Sequence, residues 1–550
     1  MQIELSHPSR GPSRVMKSHC LPFRQIPQTT QLFLDYLDFT PSAQQFYPRP
    51  PRFLEWAKEE ASRINHPADR RARVTDILER QNKAWGASAK TLENLEKFRA
   101  GACAAVTGQQ VGLFGGPVFS LYKALSAVKL AHEAQKLGIN CVPIFWLATE
   151  DHDLEEVSHI RLPGADGHLD QLVTTSHGAG DAPVGTITFG AEISEAVAQA
   201  ASLLGESDAT RLLAECYRPG ETFGTAFAKL FSRLFADLGV ILLDGSDPEL
   251  DSIAAPLYHA AIERSSEINE ALQKRNQELE AAGYHSQVRV TESSTLLFMM
   301  HEGSRIPLHS SSQNEFVFGA EKISAKRLTE MAGASPQSFS PNVLLRPVVQ
   351  DYILPTLAYV GGAAEVAYFA QVAVVYEKLA GRITPILPRF SATLIDSKPQ
   401  ALLEKYKLAL PDLFQGPEAL RETMGARLLP PNLQASFDQA ASAVERSMTA
   451  VRDSLGQLDK TLVESAEHAE SKMLYQLTNL RSRAARAESR HNEIIARHAE
   501  ILSNSLYPDK TLQEREFAGI YLLAKHGREL LNGLLDTIHP DCVDHQLITF

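Results

Sequence analysis

The stretch CAAVTGQQVGLFGGPVFSLYKALSAVKLAHEAQKLGINCVPIFWLATEDHDLEEV, residues 103–157, decides the fold class. Cys103 to Thr107 is an apolar run of strand length. Gly108, Gly112, Gly115 and Gly116 then break the pattern, Pro117 opens an amphipathic helix, and Gly138 ends it. Val142 to Leu147 is apolar throughout, as a strand covered by helices on both faces must be, and runs into Glu150, Asp151, His152 and Asp153. Strand, glycine turn, helix and strand make the first half of a Rossmann-like α/β core with a parallel sheet. Open α/β sheets bind ligands at the carboxyl ends of their strands, so the turn and the acidic cluster fall on one rim. Backbone N–H groups and the helix dipole at the turn favour an anion, which predicts a cleft with an anion-accepting side and an acidic side.

The turn itself, GQQVGLFGGP (residues 108–117), is neither GxGxxG nor a Walker loop. No Gly-Lys-Ser/Thr follows, and Lys123 lies a full turn inside the helix. Spacing leaves a phosphate site and a plain tight turn both open. A second informative segment, PNVLLRPVVQDYILPTLAYVGGAAEVAYFAQ (residues 341–371), has apolar runs stopped by Pro347, Pro355, Gly361 and Gly362. Such punctuation suits strand ends and turns around a site. Asn342, Arg346, Gln350, Asp351, Tyr359, Glu365 and Tyr368 are its polar groups. Arg346 can clamp a carboxylate or phosphate with both arms of its guanidinium, or pair internally with Asp351 or Glu365.

Outward from these segments, residues 1–50 read as a proline-rich extended arm, and helical patterns follow at Phe53 to Ile64, Ala68 to Trp85 and Lys90 to Phe98, with Trp56 and Trp85 as core anchors. Alternating runs mark insertions near 159–222 and 284–340. Gly239 to Leu243 is another buried strand, followed by Asp244, which is left open between site and structure, and Asp247, which reads as the N-cap of a helix whose first residue is Pro248. Beyond Ser397 the chain is helical and charged. Leu433 to Leu458 and Met473 to Ile501 each carry apolar residues at steps of three and four, the seam of a coiled coil, with GQLDKT between them as a break for a folded-back arm. His491 and His498 fall on the second seam, where register-setting is favoured over a metal role. The units expected are thus 1–100 (arm and helices), 101–395 (core with insertions), 396–505 (coiled coil) and 506–550 (helical cap).

The 550 residues carry a formal net charge of −12, which argues against a chain-wide nucleic-acid or membrane-surface footprint. No signal-peptide pattern opens the chain, and no apolar run approaches the roughly 18 residues of a membrane span. The five cysteines are widely spaced with no CxxC pair, which fits a reducing cytoplasm. Cys103 and Cys141 begin apolar strands and read as core residues instead of nucleophiles.

TGQQVGLFGGPVFSLYKA (107–124), PIFWLATEDHDLEEV (143–157), the 341–371 segment and the helical carboxyl-terminal third together resemble the bacillithiol biosynthesis cysteine-adding enzyme family, BshC. The resemblance implies a core like that of class I aminoacyl-tRNA synthetases, with two insertions and a coiled coil that pairs subunits into a homodimer. It also implies joining of cysteine to glucosaminyl-malate by an amide bond, the last step of bacillithiol synthesis. Activation of the carboxyl is needed, and ATP with Mg²⁺ is the expected agent. The synthetase signatures depart: there is no His-x-Gly-His at the first helix and no Lys-Met-Ser-Lys-Ser loop. Expected catalytic residues are Glu150, Asp151, His152 and Asp153, with His152 as base; the competing structural reading has them cap the next helix and pair with Arg161. Expected substrate or nucleotide contacts are Gln109, Gln110, Gly115, Gly116, Lys123, Asn342, Arg346, Gln350, Asp351, Tyr359, Gly361, Gly362 and Glu365, with no metal ligands. Two other readings are a synthetase-like nucleotidyltransferase acting on another amino acid and a non-catalytic dimeric scaffold. A metal hydrolase ranks last, because the acid cluster lacks zinc spacing.

Overall fold

The computed structural model describes residues 16–550 except 165–167, 177, 179–181, 313, 491–492 and 540–541. Five parallel strands form the central sheet: β1 (Cys103–Gln110), β2 (Cys141–Ala148), β3 (Ile241–Asp244), β4 (Thr356–Gly361) and β5 (Ile386–Pro388). Their order across the sheet is β5-β4-β1-β2-β3. Chain direction across the sheet therefore reverses between β1 and β4, and the crevice for a ligand opens at their carboxyl ends. β1 and β2 pair in register from Cys103 opposite Cys141 to Gln110 opposite Ala148. The register requires Gly108, because a Cβ there would lie 2.9 Å from the carbonyl oxygen of Trp146.

Helix α1 (Val118–Lys136) covers β1 and β2, and its own outer side is covered by the helices Gly519–His526 and Glu529–Thr537. That double burial leaves it amphipathic only towards its carboxyl end, where His132, Gln135 and Lys136 are exposed, and not along its whole length as expected. Pro117 is the residue before the helix instead of its first residue, and it is bridged to Ala518 of the carboxyl-terminal segment. Asp247 caps α2 (Pro248–Glu263), accepting from the Glu249 N–H at 3.1 Å, as its sequence position predicts. Helix α3 (Ala363–Leu379) follows β4. The later insertion is a separate five-stranded sheet that ends in Phe339–Pro341, and the earlier one is a hairpin, His159–Pro163 with Leu169–Val173, followed by short helices. Trp56 and Trp85 are buried.

In the carboxyl-terminal third the helices Pro431–Leu458 and Leu462–Arg490 fold back on each other. Ion pairs Arg452–Glu470 and Arg481–Asp438 give the antiparallel register, and the break falls at Asp459 to Thr461, inside GQLDKT. His498 bonds to the Tyr406 hydroxyl at 2.7 Å, a packing role, whereas His491 lies outside the described residues. No helix among the described residues is long and apolar enough to cross a membrane.

Two local expectations change. The amino-terminal arm is not merely extended: Lys17–Leu21 pairs antiparallel with His545–Thr549, which in turn pairs parallel with Ala392–Ile395, so the carboxyl-terminal cap ends in a strand. The cysteines are not all free either. Cys20 and Cys542 form a disulfide across a sequence separation of 522, while Cys103, Cys141 and Cys216 are buried thiols. The wide spacing that argued against pairing hid two segments that the terminal sheet brings together. A loop this long places the bond near the upper end of the usual contribution of about 2–5 kcal/mol.

A buried polar network ties this terminal sheet to the core. Arg389 donates to Glu514 at 2.6 Å, and Ser391 donates to both Glu514 oxygens at 3.0 Å. With that hydroxyl hydrogen committed, His545 donates to Ser391 from Nδ1 (2.7 Å) and accepts from Thr393 at Nε2 (2.8 Å), which is the neutral ring. Burial pushes the His545 pKa down to about 4, against the pull of Glu514. Its folded pKa lies below the unfolded value near 6.5, so the unfolded chain binds the extra proton, and stability is lost as pH falls from about 6.5 towards 4. The full window is worth about 3 kcal/mol. Denaturant melts at pH 7 and pH 5 should show this loss, and a His545→Asn chain should lose less between the two pH values whatever its absolute stability.

Candidate active site

The crevice between β1 and β4 is built around a buried ion pair. Lys123, in the second turn of α1, reaches back under the end of β1, where its ammonium donates to the Gly108 carbonyl (2.8 Å) and Gln109 Oε1 (2.9 Å) and meets Glu365 Oε2 at 2.5 Å. Glu365 stands in the first turn of α3. It also accepts from the Tyr359 hydroxyl (2.6 Å) and from the Gly362 N–H (2.7 Å). Burial pushes the Lys123 ammonium down, with Glu365 pulling against it. For Glu365, burial raises the carboxyl, but Lys123 and the hydrogen bonds outweigh it and hold it below the ordinary value. Gly361 is required beside this carboxylate, since a Cβ would sit 2.8 Å from that of Glu365.

Arg346 projects into the same crevice and donates to the hydroxyls of Tyr368 (3.1 Å) and Tyr359 (3.3 Å). Among the described residues no carboxylate makes an ion pair with it, so neither internal partner foreseen for it, Asp351 or Glu365, is engaged. Burial disfavours its charge, yet the two phenols and Glu365 hold its pKa above the ordinary guanidinium value.

The hollow above these groups measures about 340 Å³ and adjoins a second of about 370 Å³. Gln109, Gln110, Phe119, Glu156 and Arg515 line both, so the two form one cleft of a size suited to small molecules. The first hollow carries four cations, Lys123, Arg346, Arg389 and Arg515, against the carboxylates Glu156 and Glu365. Arg389 is held by Glu514 and lies over the Phe119 ring. The side chain of Arg515 is exposed and makes no hydrogen bond or ion pair with the described residues, while its backbone N–H donates to the Leu512 carbonyl. The surplus of positive charge favours an anionic ligand.

The acidic cluster lies beside this cleft and does not line it. Asp151 accepts from Gln110 (2.8 Å) and from the His152 N–H (2.7 Å), and Gln110 also donates to Glu156 (2.9 Å), so Gln110 links the cluster to the cleft. His152 Nδ1 stands 3.9 Å from Asp151 and has no hydrogen-bond partner; its ring faces Phe298. Burial pushes the Glu150 carboxyl up to about 7 against the pull of Arg305 and Arg346. Asp153 is the N-cap of the short helix Leu154–Val157, accepting from the Glu156 N–H at 3.0 Å. Arg161 pairs with Asp509 and Glu516 and not with the cluster.

Other expected contacts face elsewhere. Gly115 donates its N–H to the Gly112 carbonyl and the Tyr217 hydroxyl, Gly116 donates to the Leu113 carbonyl, and Val118 donates to the Phe517 carbonyl, so these amides are taken by the protein instead of being open to an anion. At φ 70° and ψ −165° Gly116 occupies a conformation that side chains resist, which makes its need for glycine one of turn geometry, although it does edge the second hollow. Asn342 fastens its turn to the insertion, donating to the Thr295 carbonyl and accepting from the Leu344 and Leu345 amides. Gln350 is buried beside Asp351, whose carboxylate accepts from Tyr376 and Thr384 behind β4. Arg389 was not foreseen, though it follows the apolar β5 at its carboxyl end and obeys the same strand-end rule as the acids. Arg515 and Glu514 come from a distant segment that only docking reveals. Among the described residues no three His, Cys, Asp or Glu side chains are grouped to hold a metal ion.

Comparison with known proteins adds to this geometry. Residues 16–390 match the family model described as bacillithiol biosynthesis BshC, N-terminal Rossmann-like domain, and residues 392–550 match its C-terminal coiled-coil domain. A protein of Koribacter versatilis named "Putative cysteine ligase BshC" is 46% identical over 96% of this chain and 99% of its own length. Proteins of the same name from Solibacter usitatus, at 37% identity over 96% of this chain and 99% of theirs, and Geobacillus thermodenitrificans, at 28% over 95% and 98%, are similar along nearly their whole length. The chain therefore belongs to the bacillithiol biosynthesis BshC family.

Proposed function

We propose that this chain is an amide-forming ligase that joins L-cysteine to the amine of glucosaminyl-malate. The observation that carries the reading is the cation surplus of the cleft at the β1/β4 switch point, within a family whose relatives are named cysteine ligases. Malate brings two carboxylates, and Arg389 and Arg515 are the guanidiniums not already committed to the Lys123–Glu365–Tyr359 web. Arg346, fixed by two phenols, faces the carboxyl that reacts. A free carboxyl needs activation before an amine can displace its oxygen, and ATP with Mg²⁺ would supply a phosphoryl or adenylyl leaving group. The cleft fits such a group in charge through Arg515, which lines both hollows, whereas Arg161 on the second hollow is already paired with Asp509 and Glu516. Its glycine turn does not, because the amides are already bonded. The attacking amine must lose a proton, and the rim beyond Gln110 holds the groups to take it: His152, whose Nδ1 is unpartnered, and Glu150, raised by burial towards neutrality.

We further propose that the arm pairs two copies. Val451, Leu458, Met473, Tyr475 and Leu480 remain exposed on the folded-back helices, although all but Tyr475 are seam positions, so the hairpin does not satisfy its own seam.

Incubation with cysteine and glucosaminyl-malate, with and without ATP and Mg²⁺, should yield the amide product by mass only in the complete mixture. Arg515→Ala should raise KM for glucosaminyl-malate by about 10- to 100-fold, the scale of one lost charge-assisted contact, with an unchanged melting temperature. An unchanged KM removes Arg515 from the site. His152→Asn should lower kcat by about 10² or more while the fold stays intact; a chain that melts lower but keeps full turnover per folded molecule makes the rim structural. Light scattering at micromolar concentration should give twice the chain mass, and Leu458→Glu with Leu480→Glu should halve it. A monomeric parent chain would exclude the pairing.

A further inference from the structure

The disulfide that closes the chain on itself has one open face. Cys20 belongs to the strand Lys17–Leu21, whose first four residues are exposed. Cys542 is half-buried and lines a hollow shared with Lys129, Arg389 and His539. The strand pairing of this region does not depend on the bond, because five residue pairs join Lys17–Leu21 to His545–Thr549. A disulfide that is accessible, and dispensable for the local ladder, can open without unfolding its surroundings. In a compartment that keeps thiols reduced, such bonds are transient or redox-sensing elements.

We propose that the Cys20–Cys542 disulfide is a thiol-exchange site at which low-molecular-weight thiols, cysteine among them, add to Cys20 and release Cys542. A thiolate attacks the sulfur of the exposed residue Cys20, forming a new S–S bond to it. The Cys20–Cys542 bond breaks and its electron pair passes to the Cys542 sulfur. That leaving thiolate shares its hollow with Lys129, Arg389 and Glu133; Lys129 and Arg389 are paired with Glu133 and Glu514, so their charges stabilise the leaving group only in part. A second thiolate then attacks the sulfur of the adduct, releases the small-molecule disulfide and leaves Cys20 reduced, so two thiols have supplied the two electrons. Attack on Cys20 is favoured over attack on Cys542 by access alone. Leu387 to Phe390 also line the hollow, and Arg389 lines the cleft as well, so the exchange site adjoins the candidate active site through one side chain. The chemistry stands whether or not the chain is the proposed ligase.

The test uses the full chain purified without reductant, exposed to cysteine–cystine mixtures of rising cysteine content, quenched by alkylation and mapped by peptide mass. The expected course is loss of the Cys20–Cys542 peptide, gain of a cysteinyl adduct on Cys20 with alkylated Cys542, and then alkylation of both. Cys103, Cys141 and Cys216 should stay unmodified throughout. A Cys542→Ser chain should take the adduct on Cys20 from cystine directly. Finding both cysteines alkylated before thiol is added overturns the proposal, as does an adduct that forms on Cys542. A bond that resists cysteine until the chain is unfolded overturns it too.

Discussion

The contact between Lys123 and Glu365 is the constraint on which the cleft depends. Two opposite charges, one 5% and the other 16% exposed, meet at 2.5 Å where α1 and α3 converge on the sheet. Such a pair is weak evidence for stability, because desolvation offsets most of the attraction, but loss of one partner typically costs about 3–5 kcal/mol. Its value here is geometric. Lys123 binds the end of β1 through Gly108 and Gln109, and Glu365 binds the end of β4 through Tyr359 and the Gly362 amide. The crossing point of the sheet is thereby fixed from both sides, and Tyr359 hands the constraint on to Arg346.

The carboxyl-terminal segment finishes what the sheet begins. Glu514 orients Arg389, its neighbour Arg515 reaches over the opening, and Phe517 and Gly519 bond to the turn that leads into α1. Of the amides at that turn, Val118 is taken by Phe517 of the docked segment and Gly115 and Gly116 by Gly112, Tyr217 and Leu113, while Arg515 of the docked segment adds positive charge to the cleft. A chain ending before residue 513 would lose Arg515 from the cleft, together with the fixing of Arg389 by Glu514. The boundary of the two matched domains near residue 391 thus runs across the cleft, which is lined from both.

The core was legible because its signals are local. An apolar run that meets glycine, a helix with a definite end, and a second apolar run with acids at its carboxyl end leave few other folds, and Arg346, Tyr359 and Glu365 stood out as polar groups in an apolar segment. Local signals failed where partners are distant. Gly115 and Gly116 looked open because nothing in their neighbourhood reveals that Tyr217 and the 517–519 segment cover them. Asp351 shares a helix with Arg346, yet, five residues on, it points in a different direction and turns to Tyr376 and Thr384. Cys20 and Cys542 are 522 residues apart, and no spacing rule could pair them.

The contrast between two carboxyls says where a proton can go in the proposed reaction. Glu365 is held below its ordinary pKa by an ammonium in contact and by donated hydrogen bonds, so it stays ionised and makes a poor proton acceptor from an amine. Glu150 lies under the opposite influence. Burial raises it to about 7, and the charges that oppose the rise, Arg305 and Arg346, stand near without bonding to it. Environments that push like groups apart in this way assign separate roles to them. On the proposed reading Glu365 serves as an anchor, and proton transfer is assigned to the rim of Glu150 and His152. Arg346 lines the cleft and also acts electrostatically on Glu150, so charge arriving at one is felt at the other. An anionic substrate that neutralises Arg346 would lift part of its pull and raise Glu150 further, which makes the rim a stronger base when the cleft is filled than when it is empty.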